Sequence, residues 1–273
     1  MDILVISDND PYEDDHEEGM RRVSDLADLL NEIETPPKLV PVRFNTSCNA
    51  IDGYTAPNRP FYIMLSAKIA EGRLMSAVRD LRDAFPSAEI LVDARDDHPE
   101  AALDIVVAGA YNIVSAGPVR VDNIIYSVGQ MRSGLAPYTP QLVQDGAEGR
   151  SGFIAMGYDP TRRARAAFES AVVPVRRYLD LDLKRVDELV QRGSPSITVE
   201  FEMKNRDYVL CLTADMNGGV VFEIGLAKGI GKPVILVGPK GVPVGNSMVE
   251  GFPCVEYDTY TELAMKLYFG LRT

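Results

Sequence analysis

Short apolar runs alternate with longer amphipathic stretches along almost all of this 273-residue chain, and the series is played twice. A chain patterned this way has few ways to bury its apolar surface. Continuous apolar runs suit strands covered on both faces, and the stretches between them are long enough for helical crossovers, so the expected class is α/β with parallel sheets. In the first half the strand-like runs fall at about 2–7, 39–43, 61–65, 89–93 and 111–115, with helical periodicity at about 17–33, 71–84, 98–109 and 120–132. In the second half they fall near 152–156, 182–186, 208–213, 233–237 and 253–256, with helices around 161–178, 196–205, 218–229 and 259–271. Between the halves, residues 133–151 lose periodicity and collect glycine, proline and polar residues. The expected organisation is therefore a domain over 1–132, a linker over 133–151 and a domain over 152–273, both doubly wound and flavodoxin-like.

Local signals refine the pattern. Leu103, Val106, Val107 and Ala110 share one helical face, as do Phe168, Ala171, Val172 and Val175, and Thr259 with Glu262 has the form of a capping box. Asp97-His-Pro-Glu100 reads as a helix start.

One acid breaks the pattern. The apolar run Tyr208–Thr213 leads into Asp215, Asn217, Gly218 and Gly219, and the helix that follows is apolar through Ala227 except for Glu223. Desolvating a carboxylate without a partner costs several kcal/mol, so an acid in such a helix is paired, hydrogen-bonded or held for chemistry. A structural account would satisfy it with the N-terminus of its own helix or with Arg185. Two glycines at the helix start let a ligand approach backbone N–H groups that have no partner within the helix. Asp215 reads equally as a cap of the glycine turn and as a second functional acid. Lys232 in Gly231-Lys-Pro is not part of a P-loop, because Pro233 stands where Ser or Thr must reach magnesium.

The segment Asn217-Gly-Gly-Val-Val-Phe-Glu223-Ile-Gly225-Leu-Ala227, followed by Gly231-Lys-Pro-Val-Ile235, resembles the nucleoside 2-deoxyribosyltransferase-like proteins over the C-terminal half, an outline shared with TIR-like nucleotide-binding domains. The resemblance implies cleavage or transfer at the N-glycosidic bond of a nucleoside or nucleotide, with Glu223 as nucleophile; Asp215 is close enough in sequence to serve as the second catalytic acid. Apart from the resemblance, Met156, Gly157, Tyr158, Asp187, Asn217, Gly218 and Gly219 all follow strand ends, where ligands bind in such sheets, and are the expected binding surface. The chain departs from the family where Asn217 replaces an acid that assists the nucleobase, and where Ser196-Ile-Thr198 replaces another. NAD cleavage and non-catalytic nucleotide sensing are the alternatives.

Residues 89–114 resemble the fourth and fifth units of response-regulator receiver domains, and the likeness extends over most of 1–132. Asp8 and Asp10 match the acidic pair after the first strand of that family. Ser66 stands where its phospho-accepting aspartate closes the third strand, and Ser115-Ala-Gly-Pro118 lacks its lysine. The resemblance implies a degenerate receiver used for dimerisation, partner binding or ligand sensing.

A formal charge of -12 and a pI near 4.7 argue against nucleic acid and anionic membrane as partners. The acids crowded into the first 18 residues read as a solvated loop. Cys48, Cys211 and Cys254 are too widely spaced for a zinc site or a disulfide framework, and His16 and His98 are the only histidines, so no metal, no cofactor and no hydrolase triad are expected. The chain is expected in the cytoplasm, as a homo-oligomer, with a nucleoside or nucleotide as its small-molecule partner and a protein partner for the N-terminal half.

Overall fold

A computed structural model describes residues 2–8, 38–44, 62–66, 71–94, 99–115, 149–157, 163–189, 195–242, 249 and 254–272. The expected helices at 17–33 and 120–132, most of the linker, Tyr158, Asp10, Cys48 and both histidines lie outside the described residues. The chain is α/β. It divides into two compact units, Met1–Asp97 with Asp104–Pro137, and His98–Leu103 with Tyr138–Thr273. No described helix is long and apolar enough to cross a membrane.

The first sheet contains β1 (Asp2–Asp8), β2 (Lys38–Phe44), β3 (Tyr62–Ser66), β4 (Glu89–Ala94) and β5 (Asn112–Ser115), all parallel, in the order β2-β1-β3-β4-β5. Its register sets Ile3 beside Leu39 and Tyr62, Met64 beside Leu91, and Val92 beside Ile113. Two helices are described here, α1 (Glu71–Ala84) and α2 (Pro99–Val107). Ala77, Val78 and Leu81 of α1 are buried, as are Ile63, Ile90 and Val92 of the strands. Ser66 closes β3. The α2 face differs from expectation. Leu103 and Val106 are buried and so is Ala110 beyond the helix end, but the buried arc runs through Ala102 and Ile105, which turns Val107 outward to 53% exposure.

The second sheet contains β6 (Ser151–Ala155), β7 (Asp182–Arg185), β8 (Tyr208–Leu212), β9 (Val234–Pro239) and β10 (Cys254–Tyr257), again all parallel, in the order β10-β9-β8-β6-β7. Numbered within its own unit, this is also the order 2-1-3-4-5, one of the two common orders of open parallel sheets. Phe153, Ala155, Val209, Cys211, Val234 and Leu236 project from one face. Buried beneath Val199 and Met203 of α6 (Pro195–Lys204) and Val220, Ile224 and Ala227 of α7 (Gly218–Gly229), they form a continuous core.

The short α5 (Val186–Leu189) follows β7, and the opposite face carries a longer helical run: α3 (Arg163–Ala167), a π turn (Phe168–Val172) and α4 (Val173–Leu179), which pack with α8 (Tyr260–Leu271). The core face expected there is present, since Phe168, Ala171, Val172 and Val175 are all buried. The π turn was not expected, although Pro174 accounts for it. Proline has no N–H and its ring collides with the carbonyl four residues back, so the helix widens at that point and the Val173 N–H bonds instead to Phe168. Half of the capping box expected at α8 is formed, Thr259 Oγ1 accepting from Glu262 N at 3.1 Å, while the Glu262 carboxylate accepts from Asp258 N, one residue before the N-cap, at 2.7 Å.

Candidate functional site

In an open parallel sheet, ligands bind outside the carboxyl ends of the strands, where neighbouring crossovers leave on opposite faces. In the second unit that point lies between β6 and β8, because the chain leaves β6 toward α3 on one face and leaves β8 toward α7 on the other. A chain end of each strand therefore meets there. From β6 come Met156 and Gly157; from β8 come a 3₁₀ turn, Thr213–Asp215, and then Asn217.

The contact between them is close. A Cβ on Gly157 would stand 2.8 Å from the Asp215 carbonyl oxygen and 3.6 Å from Asn217 Nδ2, so only glycine lets the strand ends approach this far. Met156 is buried and contributes packing, leaving its backbone at the site. Asn217 is the N-cap of α7. Its Oδ1 accepts from Gly219 N at 2.9 Å and Val220 N at 3.1 Å, which leaves the amide nitrogen beside Gly157 as a donor. Gly218 and Gly219 are exposed in the first turn of that helix.

Asp215 does not cap the glycine turn. One carboxylate oxygen accepts from Ala164 N at 2.8 Å, in the first turn of α3, and ties the end of β8 to the helix after β6. The other oxygen has no partner among the described residues. Tyr257, at the end of β10, is a neighbour that sequence reasoning missed: burial, Tyr260 and the Asp215 charge push its hydroxyl up to about 12, against the opposing pull of Arg163. Nothing local in the sequence connects Tyr257 to Asp215, since the strands that align them are distant in the chain.

Glu223 lies one and a half turns into α7, about 7.5 Å along the axis from Gly218. It sits at the border of the buried stripe made by Val220, Ile224 and Ala227 and is itself half-buried. Among the described residues its carboxylate has neither a hydrogen bond nor an ion pair. Burial alone pushes it up to about 7; burial first, and then the Glu223 charge, also raise the thiol of Cys211. Both structural partners foreseen for it are engaged elsewhere. The first-turn N–H groups of Gly219 and Val220 are taken by Asn217. Arg185 bonds Asp187 at 2.6 Å and lies over the Phe168 ring, 4.5 Å from its centre.

Asp187 therefore stands at the carboxyl end of β7, exposed, with its charge engaged by Arg185. It follows the strand next to β6 but makes no bond to Asp215, Asn217 or Glu223. Lys232 is likewise accounted for structurally, its amine donating to the Arg206 carbonyl at 2.6 Å near the opposite end of the sheet. No cluster of three or more metal-ligating side chains occurs among the described residues.

No protein-family model matches the chain, and no curated protein matches it. Among solved structures, one from Mycobacterium tuberculosis, titled as the structure of Rv1207, aligns at 11% identity over 98% of this chain and 90% of that one, with a TM-score of 0.19. A likeness so slight carries no argument about fold or activity.

Proposed function

We propose that residues 152–273 form a flavodoxin-like, nucleoside deoxyribosyltransferase-like domain that cleaves or transfers at the N-glycosidic bond of a nucleoside or nucleotide. The observation that carries this reading is Glu223, a half-buried carboxyl with no partner among the described residues, in the helix that begins at the switch point of the sheet. An acid retained there at a cost in stability has the environment of a functional group. In the proposed reaction its carboxylate bonds to the anomeric carbon as the carbon–nitrogen bond breaks. The departing base keeps the electron pair and takes a proton from water, with the Asp215 carboxylate holding that water. Water, or another base, then opens the glycosyl ester and frees Glu223.

The glycine-lined helix start and the Asn217 amide suit a ligand rich in hydroxyls and ring nitrogens. The N-terminal half has the receiver-like role of a partner-binding or ligand-sensing module, and its third strand ends in Ser66 rather than an acceptor aspartate. The test is chromatography of nucleosides, nucleoside monophosphates and NAD after incubation with the protein, and again with Glu223→Gln. Free base released by the wild type and about a thousandfold less by the variant is the expected result. Near-normal turnover by a folded Glu223→Gln protein removes the central residue of the reading, and nicotinamide as the sole product redirects it to NAD.

A further inference from the structure

Helix α7 is apolar nearly all round, and only one side of it is buried against the sheet. Its outward side carries Gly218, Phe222, Gly225 and Gly229, with Phe222 57% exposed. A surface helix ordinarily turns charged residues to water, whereas one apolar on every side is covered on every side. The neighbouring α6, in contact with α7, adds to the same surface: Val199 and Met203 face the core, so Phe201 points directly away from it, at 64% exposure. Two exposed phenylalanines on adjoining helices make an apolar patch, bordered on α7 by the exposed Lys228, on a chain of net charge -12.

We infer that this face is where a second copy of the chain docks, with α6 and α7 antiparallel to their counterparts about a two-fold axis. Three features select a copy of the chain over an unrelated protein. The first is shape. Space is open above Gly225 and Gly229, and Phe222 projects beside them. With a pivot between Gly225 and Leu226, each Phe222 rests on Gly229 of the other copy, and the pair repeats by symmetry as an isologous interface requires.

The second is charge on α6. Glu200 and Lys204 form an i,i+4 ion pair at 2.5 Å flanking Phe201. Reversing the helix about Glu202 sets Glu200 against Lys204 of the other copy, and the converse, so the charges are self-complementary. In the proposed dimer one axis crosses α6 at Glu202 and α7 beside Gly225, each seven residues and about 10 Å from its helix start. The third is net charge: two strongly acidic chains meet with least repulsion on a face whose charges are balanced.

Sedimentation velocity of the full chain between about 1 and 100 µM tests this. A dimer is expected, with Phe222→Glu weakening association at least about a hundredfold while leaving the far-ultraviolet circular dichroism and the melting temperature unchanged. Gly229→Leu, at a position with open space in the monomer, is expected to do the same. Oxidising a mixture of Phe222→Cys chains and Gly229→Cys chains is expected to trap a mixed disulfide that the wild type does not form. A wild type that stays monomeric at 100 µM overturns the inference and leaves the face to a different protein. A dimer that survives both Phe222→Glu and Gly229→Leu overturns it as well, by moving the interface elsewhere.

Discussion

Glu223→Gln should stabilise the folded protein, and by more at alkaline than at acid pH. In the folded state burial raises this carboxyl from 4.5 to about 7, so the native protein holds a proton that the unfolded chain has already released. Wherever the native state binds more protons, stability falls as pH rises. The wild type therefore loses stability from this group between about pH 4.5 and 7, and the loss is complete above that. Full linkage over this shift corresponds to ~1 kcal/mol at pH 5.5 and ~3 kcal/mol at pH 8.5. The carboxyl is only half-buried, and solvent screening reduces the pH-dependent part to about 1–2 kcal/mol.

A glutamine of the same shape carries no such penalty. Urea unfolding of both proteins at pH 5.5 and 8.5, followed by circular dichroism because the chain has no tryptophan, measures the difference. The stability gain of the variant should grow with pH. A gain that is the same at both pH values, or a loss that deepens at pH 8.5, means that the carboxylate is satisfied in the folded state and refutes the reasoning. A variant that gains stability while losing turnover would fit an acid retained for chemistry.

Base release by the wild type should rise with pH through about 7 and then level, because the nucleophile must be ionised; a rate that falls over that range contradicts its role. Asp215→Asn should keep the cap on Ala164 and melt near the wild type, while Asp215→Ala should cost ~1 kcal/mol in thermal or urea unfolding; equal losses would show that the Ala164 bond is not what matters. Gly157→Ala should cost about 1–3 kcal/mol by chemical denaturation, since its Cβ would meet the Asp215 carbonyl at 2.8 Å, and a neutral result would mean that the strand ends separate freely.

Strands such as β8 (Tyr208–Leu212) were legible as unbroken apolar runs, although β7 (Asp182–Arg185) is not one, and the starts of α7 and α8 because Asn217 and Thr259 are capping residues with local targets. Glu223 was legible as an anomaly, one acid beside an apolar stripe. That it has no partner among the described residues was not, because this depends on where Arg185 and Asn217 direct their own bonds. The Asp215 bond to Ala164 was hidden for the same reason: it joins residues 51 apart in sequence, and only the sheet order brings them together. Val107 turned outward because a helical face drawn from periodicity is as wide as its apolar residues allow, whereas the face that packs is as wide as its neighbour. The π turn did leave a trace, in Pro174, inside an otherwise helical pattern.

That turn gives the chain a tolerance for changing its own length. A π turn holds one residue more than the α-helical turn it replaces, so removing a single residue between Phe168 and Val172 would let the helix close up as ordinary α-helix. Ala164 and Ala167 on one side, and Val175 on the other, would keep facing the core. The same deletion a turn earlier or later would rotate every following side chain by about 100° and turn the apolar face to water. Insertions and deletions in this helix therefore have one permissive position, and it lies opposite the faces that carry Glu223 and Phe222.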